Sequence, residues 1–173
     1  MVEPYAEGIC IRGDTDFSLT GNFDRWSERV DFVFGMDARA VLIKRAEELT
    51  KDAWKVLVRK PKYRVKTQER QKPENIKEEI VKEKGYKNIR LESERVAEFE
   101  YQPGKCDKMY RIVVLKKNLS VEEGKKALID DIRYFFYITT LNRTAEEVVE
   151  LANGRCDQEN VIEQLKNGVN MSS

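Results

Sequence analysis

Two short apolar segments near the start of the chain restrict the folds that it can adopt. Residues 8–14 are typical of a buried strand that ends in a glycine and an aspartate, and residues 30–35 of a second strand closed by a glycine. Residues 22–29 between them suit a helix or a helical turn. This order predicts a βαβ-type arrangement in the first fifty residues, and a protein of the α/β (mixed α+β) class.

The rest of the chain also mixes helices and strands. Residues 134–140 are the most apolar segment, so we expect them in the centre of a sheet. Thr144 and Glu147 form a capping-box pattern that predicts the start of a C-terminal helix. The other expected elements are helices at 38–55 and 75–84, strands at 55–59 and 63–66, and a β-hairpin of residues 95–101 and 109–115 around Pro103 and Gly104.

Histidine is absent from all 173 residues. Its absence excludes Ser-His-Asp and Cys-His catalysis, His-ligated zinc and imidazole general-base chemistry. Carboxylates remain, and they are ligands that hard metal ions prefer.

The length of the chain is that of about one domain. Because 32 basic and 31 acidic side chains leave a net charge of +1, any affinity for nucleic acid must come from local charge asymmetry.

The cysteines and the apolar runs bear on the compartment. Cys10, Cys106 and Cys156 are widely spaced and form no Cys-x-x-Cys pair, which favours reduced thiols over a disulfide framework or a zinc site. No apolar run approaches the ~18–20 residues needed to cross a bilayer. The N-terminus lacks the pattern of a signal peptide. We therefore expect a soluble, intracellular protein without a membrane partner.

Asp14 is the first candidate functional residue. It ends the first apolar strand, and open α/β folds place their ligands at the carboxyl ends of strands. The alternative is an aspartate that only caps the following turn. The hexapeptide from Arg12 to Phe17 leaves both interpretations open.

A second candidate group is formed by Arg155, Glu159 and Lys166. Their spacing places all three on one narrow face of a helix, if the helix runs unbroken through them. A glutamate between two cations can be a metal ligand beside phosphate-binding groups. Ordinary ion pairing on a solvated helix explains the same spacing and is worth a few tenths of a kcal/mol.

Residues 51–72, the basic segment, carry nine Lys or Arg against Asp52 and Glu69, a local net charge of +7. Trp54 and Tyr63 lie among these cations. Basic strands with aromatic residues suit a polyanion such as the DNA backbone. A solvated sheet face balanced by the acidic stretch 74–100 is the alternative. The residues that we expect to contact DNA here are Arg59, Lys60, Lys62 and Arg64.

Taken together, these segments resemble the DDE transposases of bacterial insertion sequences, in the subgroup with a β-rich insertion before the last catalytic glutamate. Residues 11–17, Ile-Arg-Gly-Asp-Thr-Asp-Phe, are similar to the family's R-G/A-D-S-G-F strand motif. Residues 30–36 are similar to the Y-V-F-G-L strand that follows it. Residues 110–114 and 134–139 match strands of the insertion and of the return to the core, and residues 155–166 look like the family's Y-x2-R-x3-E-x6-K signature.

The resemblance implies a partial ribonuclease-H-like core that is interrupted by a β-rich insertion. Residues 1–50 would belong to the core and residues 51–133 to the insertion. Residues 134–173 would form the return strand and the C-terminal catalytic helix. The implied activity is DNA transposition by metal-dependent phosphodiester cleavage and strand transfer.

The resemblance also implies the site. Asp14 and Glu159 would be catalytic metal ligands for Mg²⁺, with Mn²⁺ as an alternative, and Arg155 and Lys166 would hold DNA phosphates nearby. The implied partners are the DNA ends of the insertion sequence and a second copy of the chain, with no small-molecule cofactor. The expected location is the bacterial cytoplasm, in association with the nucleoid.

Three departures from the family pattern qualify this expectation. Ala152 stands at the tyrosine position of the last motif, and Thr15 and Asp16 replace the serine and glycine after the catalytic aspartate. The family's first catalytic aspartate lies on an earlier strand, and this chain begins too late to contain it. We therefore expect a fragment with little or no activity by itself.

Two rival functions stay open at this stage. One is a non-catalytic DNA-binding relic or a domesticated piece of a transposase, which predicts salt-dependent DNA binding without a metal requirement. The other is a structural or interaction domain whose carboxylates are only surface charges. It predicts neither DNA binding nor stabilisation by metal.

Overall fold

A computed structural model describes residues 8–59, 84, 87–123 and 126–154. The strands of this part are β1 (Cys10–Gly13), β2 (Asp31–Met36), β3 (Lys55–Val56), β4 (Lys87–Tyr101), β5 (Tyr110–Glu123) and β6 (Lys126–Thr139). The α-helices of the same part are α1 (Phe23–Trp26), α2 (Ala40–Glu47) and α3 (Ala145–Asn153). The strands form one mixed sheet in the order β1-β2-β6-β5-β4-β3. The mixed α+β class is therefore confirmed.

The start of the chain has the predicted βαβ-type arrangement. β1 and β2 are parallel neighbours, and short 3-10 turns and α1 connect them. Phe32, Val33 and Phe34 are all buried, although consecutive residues of a strand point to opposite faces. β2 is apolar without alternation because both of its faces are covered.

The prediction that the first strand is buried is wrong. In the part of the chain that the structure describes, β1 is an edge strand that pairs only with β2, and Ile9 and Ile11 are 61% and 38% exposed. A short apolar run does not reveal whether a strand has one neighbour or two, since its composition is the same in both cases. An exposed apolar edge of this kind is a liability for aggregation.

β4, β5 and β6 form a long antiparallel meander. The predicted hairpin is confirmed, because Tyr101 of β4 pairs with Tyr110 of β5 across the turn that contains Pro103 and Gly104. The central position of residues 134–140 is also confirmed, since β6 lies between β2 and β5. The boundary expected between residues 133 and 134 falls inside β6.

Other predicted elements are shorter than expected or lie outside the described residues. The helix expected at 38–55 ends at Glu47, because Thr50 is extended and begins a separate 3-10 turn. The strand expected at 55–59 pairs only through Lys55 and Val56, with one further hydrogen bond from Leu57. Residues 63–66 and 75–83 lie outside the described residues.

The sheet has a different core on each side. On the side covered by α1 and α2, which we call the aromatic face, the buried residues include Phe23, Phe32, Phe34, Met36, Leu42, Ile112, Val114, Phe136 and Ile138. On the side covered by α3, the aliphatic face, they are Val33, Val96, Val113, Leu115, Leu141, Ala145, Val148 and Val149. The ring centroids of Phe23, Phe32 and Phe34 lie 5.0–5.8 Å apart. This spacing is typical of favourable aromatic pairs.

The capping box at the start of α3 is confirmed. The Thr144 hydroxyl accepts a hydrogen bond from the Glu147 N–H at 3.3 Å, and the Glu147 carboxylate accepts one from the Thr144 N–H at 2.9 Å. Each of these hydrogen bonds satisfies one backbone N–H at the start of α3 that has no partner within the helix. α3 ends at Asn153, and Gly154 is its C-cap.

Candidate functional site

Asp14 lies directly after β1, at the carboxyl end of the strand, and is half-buried. Its Oδ1 accepts a hydrogen bond of 3.2 Å from the Asp16 N–H, so it caps the 3-10 turn Thr15–Phe17. The local role that the sequence offered as an alternative is therefore present. A carboxylate has lone pairs for several partners.

Two glycines allow the chain to turn at this point. A Cβ on Gly13 would lie 2.7 Å from Cβ of Phe17 and 3.0 Å from the ring of Phe34. A Cβ on Gly35 would lie 3.3 Å from the Thr15 nitrogen, because the backbone of the turn passes directly over β2. The glycines let the turn pack closely on the sheet, which fixes the backbone that carries Asp14.

The C-terminal end of α3 meets β1 close to Asp14. Nη1 of Arg12 donates a hydrogen bond of 2.9 Å to the backbone oxygen of Leu151. A Cβ on Gly154 would lie 3.0 Å from the same Nη1, so the glycine leaves room for the guanidinium. The contact joins residues 139 positions apart and satisfies a carbonyl of the last helical turn.

Most of the predicted site residues lie outside the described part of the chain. This applies to the catalytic Glu159, and to the predicted DNA contacts Arg155, Lys166, Lys60, Lys62 and Arg64. The structure joins Arg12, two residues before Asp14, to the C-terminal end of α3. The relation of Asp14 to Glu159 stays a prediction.

Arg59, a predicted DNA contact, forms a bidentate ion pair with Glu94 on the aliphatic face. Its Nε and Nη2 lie 2.5 and 2.9 Å from the two carboxylate oxygens. Nζ of Lys117 lies 3.5 Å from the same carboxylate, which is 7% exposed. The hydrogen bond from Arg59 holds the pKa of Glu94 below its ordinary value, in spite of burial. Arg59 thus already has an anionic partner within the fold.

Sequence reasoning missed a group of polar and aromatic residues on the aromatic face. Arg95 of β4 pairs in register with Lys116 of β5, and Lys116 with Tyr134 of β6. Nζ of Lys116 lies 5.6 Å from the ring centroid of Trp54 and 5.8 Å from that of Tyr134. Alternation along the predicted hairpin strand places Arg95 on one face with Phe99, but only the register shows which residues lie beside it.

Several absences hold within the described residues only. Residues 8–59, 84, 87–123 and 126–154 contain no group of three or more Cys, Asp or Glu side chains that could hold a metal ion. In the same ranges, no helix is long and apolar enough to cross a membrane. Cys10 and Cys106 are free thiols, and Cys106 is buried.

Comparison with known proteins gives no relative for this chain. No family model matches it, and no curated protein and no solved structure is significantly similar to it. Its function must therefore be argued from its own residues.

Proposed function

We propose that this chain is part of a DDE transposase, in which Asp14 and Glu159 supply two of the three carboxylates that bind Mg²⁺. The hydrogen bond between Arg12 and the end of α3 is the observation that carries the proposal. It joins the first block that resembles a catalytic motif of the family to Leu151, four residues before Arg155, where the second block begins. A carboxylate is the donor type that Mg²⁺ prefers, and Asp14 meets that requirement.

Chain length permits Asp14 and Glu159 to share an ion. Glu159 follows Gly154 by five residues, and five extended residues span at most about 18 Å. Asp14 is two residues beyond Arg12, a distance of about 7 Å along a strand. Both residues can therefore reach a common site beside the end of α3.

The exposed edge of β1 also supports the proposal. In a ribonuclease-H-like core, the strand with the first catalytic aspartate precedes the strand with the second one and pairs beside it. Among the described residues, the side of β1 away from β2 has no partner strand. No aspartate precedes Asp14 in the chain, so the third carboxylate would come from outside it.

In this proposal the metal ions activate a hydroxyl nucleophile and stabilise the leaving oxygen of a phosphodiester when they are bound. Asp14 holds its carboxylate at a fixed position, because the 3-10 turn that follows it packs closely on the sheet at Gly13 and Gly35. Arg155 and Lys166 would bind DNA phosphates, and a guanidinium suits this role because its donors match phosphate geometry.

Metal-dependent stability tests the proposal. We expect Mg²⁺ or Mn²⁺ to raise the melting temperature of the chain, since a ligand at 100 times its Kd stabilises by about 2.7 kcal/mol. Asp14→Asn keeps the oxygen that caps the turn but removes the charge, and Glu159→Gln is the equivalent change at the second ligand. Both variants should lose the response, whereas Asp16→Asn, a neighbouring exposed aspartate, should keep it.

The proposed site would be contradicted if metal raised the melting temperature equally in the parent chain and in all three variants. It would also be contradicted if metal changed none of the four melting temperatures. Cleavage assays on duplex DNA should show little or no product, because one ligand is missing. Mg²⁺-dependent cleavage that disappears in Glu159→Gln would show that the chain is active by itself.

A non-catalytic DNA-binding protein is the second candidate. It is favoured by the capping contact of Asp14, which alone would account for an aspartate at this position. This function predicts DNA binding that weakens with salt, is unaffected by metal, and decreases when Arg59, Lys60 and Lys62 are replaced by glutamine. Absence of both DNA binding and a metal response would indicate a structural or interaction domain.

A further inference from the structure

A recess of about 220 Å³ lies on the aromatic face, where the meander extends beyond the packed core. It is lined by Ser93, Arg95, Lys116, Asn118 and Ile132. Ser93 and Asn118 are paired in register, as are Arg95 and Lys116, two residues further along the strands. The recess is therefore built from neighbouring side chains on three adjacent strands of one rigid sheet.

The two cations of the recess, Arg95 and Lys116, have no carboxylate partner in the described part of the chain. Among the described residues, neither Arg95 nor Lys116 is within ion-pair distance of an acidic side chain. The ammonium of Lys116 is held over the rings of Trp54 and Tyr134, both half-buried. Cation–π contacts position the charge without neutralising it. The pair is thus available to an anion from outside.

Asn118 supplies an independent indication of a ligand. Its Oδ1 is fully buried and has no hydrogen-bond partner among the described residues. A buried acceptor without a donor costs about 1–3 kcal/mol. Asn118 also lines the recess, so rotation of its amide towards the recess would let an N–H or O–H group of a ligand satisfy Oδ1.

We propose that this recess binds one nucleotide of single-stranded DNA, with its phosphate at Arg95 and Lys116 and a base N–H donated to Asn118. A phosphodiester group alone has no donor for Oδ1, whereas a nucleotide carries an anion and N–H donors together. The inference rests on DNA as a partner, which is part of the proposed function. It does not involve Asp14 or Glu159.

A single strand fits this surface better than a duplex. The Watson–Crick edges of an unpaired base keep their donors free, whereas pairing occupies them in a duplex. Sites for single strands commonly combine cations for the backbone with aromatic side chains. Trp54 and Tyr134 supply the aromatic component next to Lys116.

One nearby carboxylate opposes anion binding. Burial, and to a smaller extent the charge of Glu47, raise the pKa of Tyr134. Glu47 is exposed near the end of α2, so its replacement should not disturb the core. Glu47→Gln should therefore tighten binding at the recess.

The experiment measures fluorescence anisotropy of a short labelled oligonucleotide, single-stranded or duplex, titrated with the full chain from about 50 to 200 mM salt. Arg95→Gln and Lys116→Gln should each weaken single-strand binding several-fold and reduce the salt slope by about 0.7. Asn118→Leu should weaken binding without lowering the melting temperature, since it removes an unsatisfied acceptor.

Arg133→Gln is the matched control. Arg133 pairs in register with Lys117, which places it on the opposite face, and its side chain already contacts Asp131 at 2.8 Å. The same loss of charge there should leave the affinity within about twofold. Equal affinities of the parent and of the three recess variants would overturn the inference and leave the proposed function standing.

Two further outcomes are also decisive. Tighter binding of the duplex than of the single strand would overturn the single-strand assignment. If the parent binds neither form at the lowest salt, the inference and the DNA partner of the proposed function both fail. The metal response of Asp14→Asn, measured separately, then reports on the metal site alone.

Discussion

Positively charged side chains have different partners on the aliphatic and on the aromatic face of the sheet. On the aliphatic face, Arg59 and Lys117 meet at the buried carboxylate of Glu94. On the aromatic face, Lys116 lies over the rings of Trp54 and Tyr134, and no carboxylate contacts Arg95 or Lys116 among the described residues. Lys116 and Lys117 are adjacent in sequence. Lys117 contacts the carboxylate of Glu94, whereas Lys116 contacts no carboxylate among the described residues. Cations on the same strand can therefore stabilise the fold or remain open to a partner, depending on the face.

The faces also differ in packing. The aromatic face is held by rings such as Phe23 and Phe34, whereas the aliphatic face is held by valines under α3. A ring removes more apolar area from water than a valine, so the aromatic face should contribute more stability per residue.

The largest expected effect compares these two cores directly. Phe34→Ala should lower the free energy of unfolding by about 3–5 kcal/mol, because it leaves a large cavity between neighbouring rings. Val148→Ala in α3 removes two methyl groups and should cost about 1.5 kcal/mol. Urea denaturation of both variants measures the difference. Equal losses would show that the aromatic face is no better packed than the aliphatic one.

Removing the buried carboxylate should have the next largest effect. Glu94→Gln breaks the charge pairing with Arg59 and Lys117 and should cost about 1.5–3 kcal/mol. Glu98→Gln is the control. Glu98 lies on the same strand as Glu94 and also pairs with an arginine, Arg111, but it is exposed. An exposed pair contributes about 0–1 kcal/mol. A similar loss in both variants would contradict the special role of the buried pair.

The same pair predicts a dependence on pH. Since Arg59 lowers the pKa of Glu94 below its ordinary value of 4.5, the folded state binds this proton less readily than the unfolded state. The stabilisation is present above pH 4.5 and is lost as the pH falls through the lower folded pKa. Parent and Glu94→Gln should therefore converge in stability in acid, and a constant difference would contradict the assignment.

The smallest expected effect concerns α3, which covers the aliphatic face only. Thr144→Ala removes the hydroxyl of the capping box and should cost about 1 kcal/mol, whereas Thr144→Ser keeps the cap. Hydrogen exchange should increase in α3 and remain unchanged in α2 on the other face. Equal increases in both helices would show that the two faces open together.

Local patterns predicted the elements that have strong internal signals. β2 was identified by its apolar run, the β4–β5 hairpin by Pro103 and Gly104, and the start of α3 by Thr144 and Glu147. These signals depend on residues a few positions apart. The extent of β3 was not predictable in this way, because pairing at a sheet edge depends on a distant strand.

In the candidate sites too, local patterns were recognised and contacts between distant residues were missed. Asp14 was identified from a short motif, because a strand followed by glycine and aspartate is a local pattern. The pairing of Arg59 with Glu94 was missed, since those residues are 35 positions apart in sequence. The recess at Arg95 and Asn118 was missed for the same reason.

The sequence by itself determined the chemistry available to this protein: no histidine, carboxylates for metals, and a concentration of cations in residues 51–72. It also determined the strand and helix types wherever a turn or a cap fixed them. Only the tertiary structure decided which cations are paired, where β1 lies in the sheet, and that α3 meets Arg12. The physical reason is that strand register and helix packing bring together residues that no local pattern relates.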